Sequence, residues 1–148
     1  MKWLLIFVAL LTCSSVFGAD RYAVGQVWEY KTRPEDAGSL LRIAKIEKDP
    51  EFGIVYHISV VGLRITNPKA PGGRTTEVVH YPVSKGALDS SVTHLSTSKV
   101  TFPDVERGYP FWRSARDQGQ AGVYEMPIAD IVTLSQQLSN QVNGTRAP

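Results

Sequence analysis

The sequence predicts an α+β fold: a four-stranded antiparallel meander followed by two or three helices packed on one face, with a candidate short extra edge strand late in the chain. Three observations predict it. Between residues 23 and 83, four stretches alternate apolar with polar residues or concentrate β-branched and aromatic side chains, and Pro/Gly turns separate them. After Pro82 the apolar spacing lengthens to three and four residues, the helical period. Strands do not alternate with helices over the first half, as a parallel βαβ order would require.

Residues 1–18 read as a signal peptide, outside the fold. Met1-Lys2 is a short basic start, Trp3 to Leu11 is an unbroken apolar run, and Thr12 to Gly18 is a small-residue exit. Val16 and Gly18 suit the −3 and −1 positions, so cleavage is expected after Gly18. The apolar run is far shorter than the ~20 residues that span a bilayer, so no stable membrane insertion is expected after cleavage. In an alternative reading, Leu10-Leu11-Thr12-Cys13 is a lipobox and Cys13 carries a lipid. What remains is roughly 130 residues, room for one domain with a real core. That domain is expected over 19–140, with 141–148 a polar tail that frays. The single cysteine, Cys13, leaves with the leader, which removes any disulfide, thiolate nucleophile or Cys-ligated zinc. An exported chain without cysteine fits a bacterial periplasmic or secreted location. Asn143-Gly-Thr145 matches a glycosylation acceptor, which matters only in a eukaryotic host. The formal net charge of +2 drops by one with Lys2. That balance gives no case for nucleic acid, which needs a clustered basic surface.

The first strand is expected over 23–32, where Val24, Gln26, Trp28 and Tyr30 alternate with Gly25, Val27, Glu29 and Lys31. Trp28 and Tyr30 share a side whose alternates are mostly polar, so both rings are expected beneath the helical layer. Residues 33–38, Arg-Pro-Glu-Asp-Ala-Gly, form a turn, since Pro fixes φ and Gly accepts positive φ. The second strand spans 40–48, with Leu41 and Ile43 against Arg42 and Lys45; Ile46 breaks that register and marks a bulge. The stretch 53–65 is the longest β-branched and aromatic run after the leader, and the other elements are arranged around it. Asp49-Pro50-Glu51 precedes it, and Asn67-Pro68 and Pro71-Gly72-Gly73 follow. The fourth strand, 75–83, sets Val79, Tyr81 and Val83 opposite Val78 and His80. Short connections favour a meander.

Ser84 suits a helix N-cap, with Leu88, Val92 and Leu95 forming a narrow stripe behind it. Residues 102–108 read as irregular or a single turn. Pro110 suits a first helical position, Phe111, Trp112 and Ala115 supply an apolar side, and Gly119 suits the C-terminal cap. Residues 122–126 are the candidate edge strand. Pro127 opens the last helix, on which Ile128, Ile131, Val132, Leu134 and Leu138 form one stripe.

Gly25-Gln-Val-Trp-Glu-Tyr-Lys-Thr-Arg-Pro34 and Ala121-Gly-Val-Tyr-Glu-Met-Pro127 resemble segments of small exported bacterial proteins of no assigned function. The resemblance implies an exported location and a compact fold. It implies no catalytic residues.

His57 and His80 lie on neighbouring strands. If Ile54, Tyr56, Ile58, Val79 and Tyr81 face the core, both histidines point to the opposite, more solvated face, where they are surface residues or a partial metal site. Two histidines without a third ligand at a recognisable spacing are weak as zinc ligands, so no metal is expected. His94, beside Leu95, reads as a helix boundary residue. None of the serines lies in a Gly-x-Ser-x-Gly elbow, though triads are set by geometry rather than spacing. Glu29 and Glu125 are the strand-borne acids near aromatics, where burial could raise a carboxyl pKa. Glu35-Asp36, Asp49 and Glu51 lie in turns. Pro71-Gly-Gly-Arg74 lacks the Lys-Ser/Thr of a phosphate loop and reads as a hairpin tip, so no cofactor is expected. No acid falls between Phe52 and Thr76, whereas Arg64, Lys69 and Arg74 do. Glu35 and Asp36 should sit at the same end of the sheet, either partly neutralising that loop or completing a polar rim for a partner.

These features support a non-enzymatic binding module of the bacterial cell envelope, of inhibitor or immunity type, engaging another exported protein. Its expected contact residues are Arg64, Lys69, Arg74, His57 and His80; no catalytic residue stands out. Two alternatives are an envelope hydrolase with a site around His57 or His80, and a carrier of a small ligand between sheet and helices. In the carrier, Trp28, Tyr30 and Trp112 are pocket walls rather than core.

Overall fold

The structure, a computed structural model, describes residues 20–144. The leader expected over 1–18 lies outside them. Five strands form one antiparallel sheet in the order β4-β3-β2-β1-β5: β1 is Val27–Tyr30, β2 Leu40–Asp49, β3 Gly53–Thr66, β4 Arg74–Ser84 and β5 Val92–Leu95. Helix α1 (Lys85–Ser91) lies between β4 and β5, and α2 (Tyr109–Asp117) and α3 (Ile128–Gly144) follow. The α+β class and the meander β1 to β4 are as the sequence predicts.

The elements differ from expectation where tertiary pairing overrides local pattern. Strand β1 is shorter than 23–32, because a turn at Ala23–Gln26 with Gly25 at φ +91° bends the chain. Helix α1 begins at Ser84, whose hydroxyl accepts from the Ala87 amide as a cap should, but it ends at Ser91. Residues Val92–Leu95, expected to continue the helix, instead pair with the open edge of β1. The fifth strand is therefore here and not at 122–126, which touches β4 through a single parallel bridge between Val83 and Tyr124. His94 consequently lies on an exposed edge strand. The last helix runs through Asn140 to Gly144, past the point where the polar tail was expected to fray.

One face of the sheet holds Trp28, Tyr30, Leu41, Ile43, Tyr56, Ile58, Val60, Tyr81 and Val83. Helices α1 and α3 cover it through Leu88, Ile128, Ile131 and Val132. Trp28 and Tyr30 are buried there, as their alternation predicts. Leu134 and Leu138, expected on the same stripe, are exposed.

The helices expected on one face divide between two. Phe102, Val105, Tyr109 and Trp112, from the segment leading into α2 and from α2 itself, cover the other face over Arg42, Glu47 and His57. Bulges decide which residues look which way, because each extra residue flips the faces beyond it. The register of β3 against β4 shifts between Val61 and Ile65, and Gly62 sits there at φ +79°. A Cβ on Gly62 would stand 3.1 Å from the Ser39 Cα, so the site needs glycine twice over. A second shift sets Val79 and His80 together opposite Ser59, between the core-facing pair Val78 and Tyr81. The bulged strand thereby delivers His80 to the α2 face.

Candidate functional site

The α2 face buries an unusual amount of polar chemistry for its size. His57, on the central strand β3, is fully buried. Its Nε2 lies 3.1 Å from Glu47 Oε1, and its Nδ1 lies 2.8 Å from Nε2 of His80. Glu47 reaches His57 diagonally across the β2–β3 hairpin, whose register pairs Glu47 with Val55 and Lys45 with His57. The second carboxylate oxygen of Glu47 accepts from the Tyr109 hydroxyl at 2.8 Å, and the Arg113 guanidinium stands 3.8 Å from the first. Lys45 lies 3.7 Å over the Tyr109 ring and 3.3 Å from Glu106.

Aromatic rings wall this chain in. Tyr109 and Trp112 meet the His57 ring edge-on at 4.9 and 4.8 Å, while His57 and His80 stack at 5.1 Å. Gly108 permits the close approach: a Cβ there would come within 2.7 Å of the His80 Cβ. Trp112 donates its indole N–H to the Gly122 carbonyl at 2.8 Å, fixing the ring against the 121–124 segment.

Burial sets the protonation states. It lowers the pKa of His57, with Glu47 pulling in the opposite direction and losing. It lowers His80 to about 4, and His57 adds to the effect. Tyr109 is pushed up to about 12 by burial and then by its bond to Glu47, so it remains a donor. Both imidazoles are therefore neutral at pH 7, with one N–H each. His57 must spend its proton on the Glu47 carboxylate, which leaves Nδ1 as an acceptor. His80 must then donate from Nε2, and its own Nδ1 carries a bare lone pair. Among the described residues, no protein group bonds that nitrogen. The buried side-chain atoms lacking a partner are Arg33 Nη2 and Arg42 Nε, so Nδ1 of His80 is open to solvent.

His80 lines a cleft of about 440 Å³ between the end of β4, α2 and the 121–124 segment. Its other walls are Tyr81, Pro82, Trp112, Ala121, Gly122, Val123 and Tyr124. No serine, cysteine, carboxylate, amine or guanidinium is among them.

The two histidines predicted from sequence are thus brought together, but the expectation that they face a solvated surface is overturned. His57 is buried because α2 covers it, and Val79 shares the His80 side rather than the core. Arg64, Lys69 and Arg74 are not part of this cluster. Lys69 lines a separate groove with Ile65, Leu138 and Val142. Glu35 and Asp36 do not neutralise that basic loop. Both pair with Arg33, at 3.5 and 2.6 Å, and the buried Asp36 also accepts the Arg64 amide at 2.7 Å. Glu29 and Glu125 are exposed, so neither is desolvated. Asp49, expected in an open turn, is buried in a two-fold clamp by Arg116 at 2.9 Å and accepts from the amides of Glu51 and Phe52. The Arg116 hydrogen bonds hold its carboxyl well below the usual range. Among the described residues, no serine hydroxyl bonds a histidine, and no three His, Cys, Asp or Glu converge as a metal site would need. No helix of the described residues is long and apolar enough to cross a membrane.

Sequence reasoning missed Glu47, Tyr109 and Arg113. Counting the antiparallel register back from the Asp49–Gly53 turn was the signal that could have found Glu47. Nothing local marks Tyr109 or Arg113, whose partners lie on β2. Comparison with family models, characterised proteins and solved structures finds no match for this chain.

Proposed function

We propose that this protein is a non-enzymatic binding module working outside the cytoplasm, and that its binding site is the aromatic cleft at His80. One observation carries the reading. A half-buried carboxylate and a buried histidine orient a second histidine, which lines a cleft walled by aromatic and small residues without serine, thiol, carboxylate, amine or guanidinium. Turnover most often uses a serine, thiol, amine, guanidinium or carboxylate within reach of a base, and the cleft walls carry none of these. Recognition needs only a shaped apolar surface with a few fixed polar groups, which the walls do supply. The export reading rests on the composition of 1–18 and on a mature chain without cysteine.

The Glu47–His57–His80 chain favours the hydrolase alternative in one respect, since a carboxylate behind histidine is the arrangement that orients a general base. It ranks second because, among the described residues, no serine hydroxyl bonds either histidine and no three His, Cys, Asp or Glu converge on them as a metal site would need.

The test is affinity capture and native mass spectrometry from the organism's envelope extract, with the mature chain and a Val123→Arg variant side by side. Circular dichroism establishes that the variant is folded. A species retained stoichiometrically by the unmodified chain and lost with Val123→Arg is the expected result. Identical retention by the two proteins sinks the assignment of this cleft.

A further inference from the structure

The lining of the His80 cleft restricts what it can hold, and this inference rests on the reading of that cleft as a binding site. No charged side chain is among the walls. A charged ligand would lose its hydration there without compensation, so the occupant is neutral. Trp112, Tyr81, Tyr124 and Pro82 offer flat ring surfaces, and Tyr81 meets Tyr124 edge-on at 5.8 Å. Such walls favour a ring packed edge-to-face or offset over a flexible chain. The indole N–H of Trp112 is already spent on the Gly122 carbonyl. The Tyr81 hydroxyl is spent on Ser135 at 2.6 Å. The side-chain polar groups left to a ligand are the Nδ1 lone pair of His80, an acceptor, and the hydroxyl of Tyr124, which can donate or accept. An occupant without a donor would bury the His80 nitrogen unpaired, and sites built to bond a ligand's polar group reject analogues that lack it.

We infer that the cleft takes a neutral aromatic ring bearing one hydrogen-bond donor, a phenol or an indole, seated between Trp112 and Tyr124 with its O–H or N–H donated to Nδ1 of His80. The ring can belong to a free small molecule or to a tyrosine or tryptophan side chain of an exported partner; the chemistry at His80 is the same. Because His80 sits near pKa 4, it stays an acceptor across the neutral range.

Titration calorimetry on the mature chain tests this with four free probes: 4-methylphenol, indole, and their methylated counterparts 4-methylanisole and 1-methylindole. Two capped peptides, acetyl-Gly-Tyr-Gly-amide and its O-methyltyrosine analogue, form a second arm. The donor-bearing member of at least one pair should bind about five- to tenfold more tightly than its methylated partner. His80→Phe should abolish the difference within the pair while leaving the circular dichroism spectrum unchanged. Preference seen with free rings identifies a small-molecule source, and preference seen only with the peptide identifies a partner side chain. Equal binding of methylated and unmethylated probes overturns the donor rule, as does a difference that survives His80→Phe. Absence of binding in both arms overturns the ligand class. The capture experiment with Val123→Arg still stands or falls on its own, so the two failures are distinguishable.

Discussion

Gly108→Ala sets two opposing effects against each other at the candidate site. Gly108 has φ −123°, a conformation open to any L-residue, so alanine should ordinarily stabilise by about 0.4–1 kcal/mol through the unfolded chain's lost freedom. Here the new Cβ would stand 2.7 Å from the His80 Cβ and 3.5 Å from Val79 Cγ1. Carbon pairs prefer about 3.5–4.0 Å, so the first contact is deep in the repulsive wall. Forcing one extra methyl into a packed site costs about 1–3 kcal/mol. The clash involves backbone-anchored carbons on both sides, which rotamer changes cannot relieve. It therefore wins, and a net loss of about 1–2 kcal/mol is expected in urea melts. Gly122→Ala is the control: nothing lies within 4 Å of its added Cβ, so it should be neutral or slightly stabilising. The geometry makes a further demand. Because the contact is to Cβ, Gly108→Ala should cost as much in a His80→Ala background as in the unmodified chain. If Gly108→Ala stabilises the protein, or if His80→Ala rescues it, then α2 does not press on β4 as described.

Trp28→Ala should cost about 3–5 kcal/mol, since the ring is 5% exposed and packs against Tyr22 at 5.7 Å. Glu29→Ala on the exposed side should stay within about 0.5 kcal/mol, and equal effects in denaturant melts would mean the strand's faces are reversed. Stability should also fall as pH drops from about 6.5 to about 4. The folded pKa of His80 is depressed, so the unfolded chain takes up a proton first and the folded state loses ground until its own pKa is reached. Allowing for partial exposure, that loss is about 2 kcal/mol, and His80→Phe should flatten the profile over this window. A profile as steep in the variant would assign the effect elsewhere. Arg116→Ala should move the acid limb of the stability curve to higher pH. Asp49, its folded pKa depressed, stabilises above the ordinary carboxylate pKa and loses that contribution as pH falls through the folded one. A limb that does not move would mean the clamp is not what lowers Asp49.

The sequence by itself determined the sheet-first order, the meander and the burial of Trp28 and Tyr30, because period two and turn residues act within a few positions of each other. It also determined the Ser84 cap and the bulge near Ile46, which appears between Ile43 and Lys45. Only the tertiary structure decided the fate of Val92–Leu95. A helical stripe and a β-branched strand fit those residues equally well, and the unpaired edge of β1 chose between them. Local pattern sets His80 opposite Tyr81, but it does not say that Val79 joins His80 on the site face. That depends on a single inserted residue opposite Ser59, and one residue is enough to carry a side chain from core to site. The candidate site shares this character. Its histidines were visible, but Glu47, Tyr109 and Trp112 reach them across strands and from a helix far along the chain. Desolvation, which makes the pair neutral and leaves one nitrogen free, exists only once α2 has closed over β3.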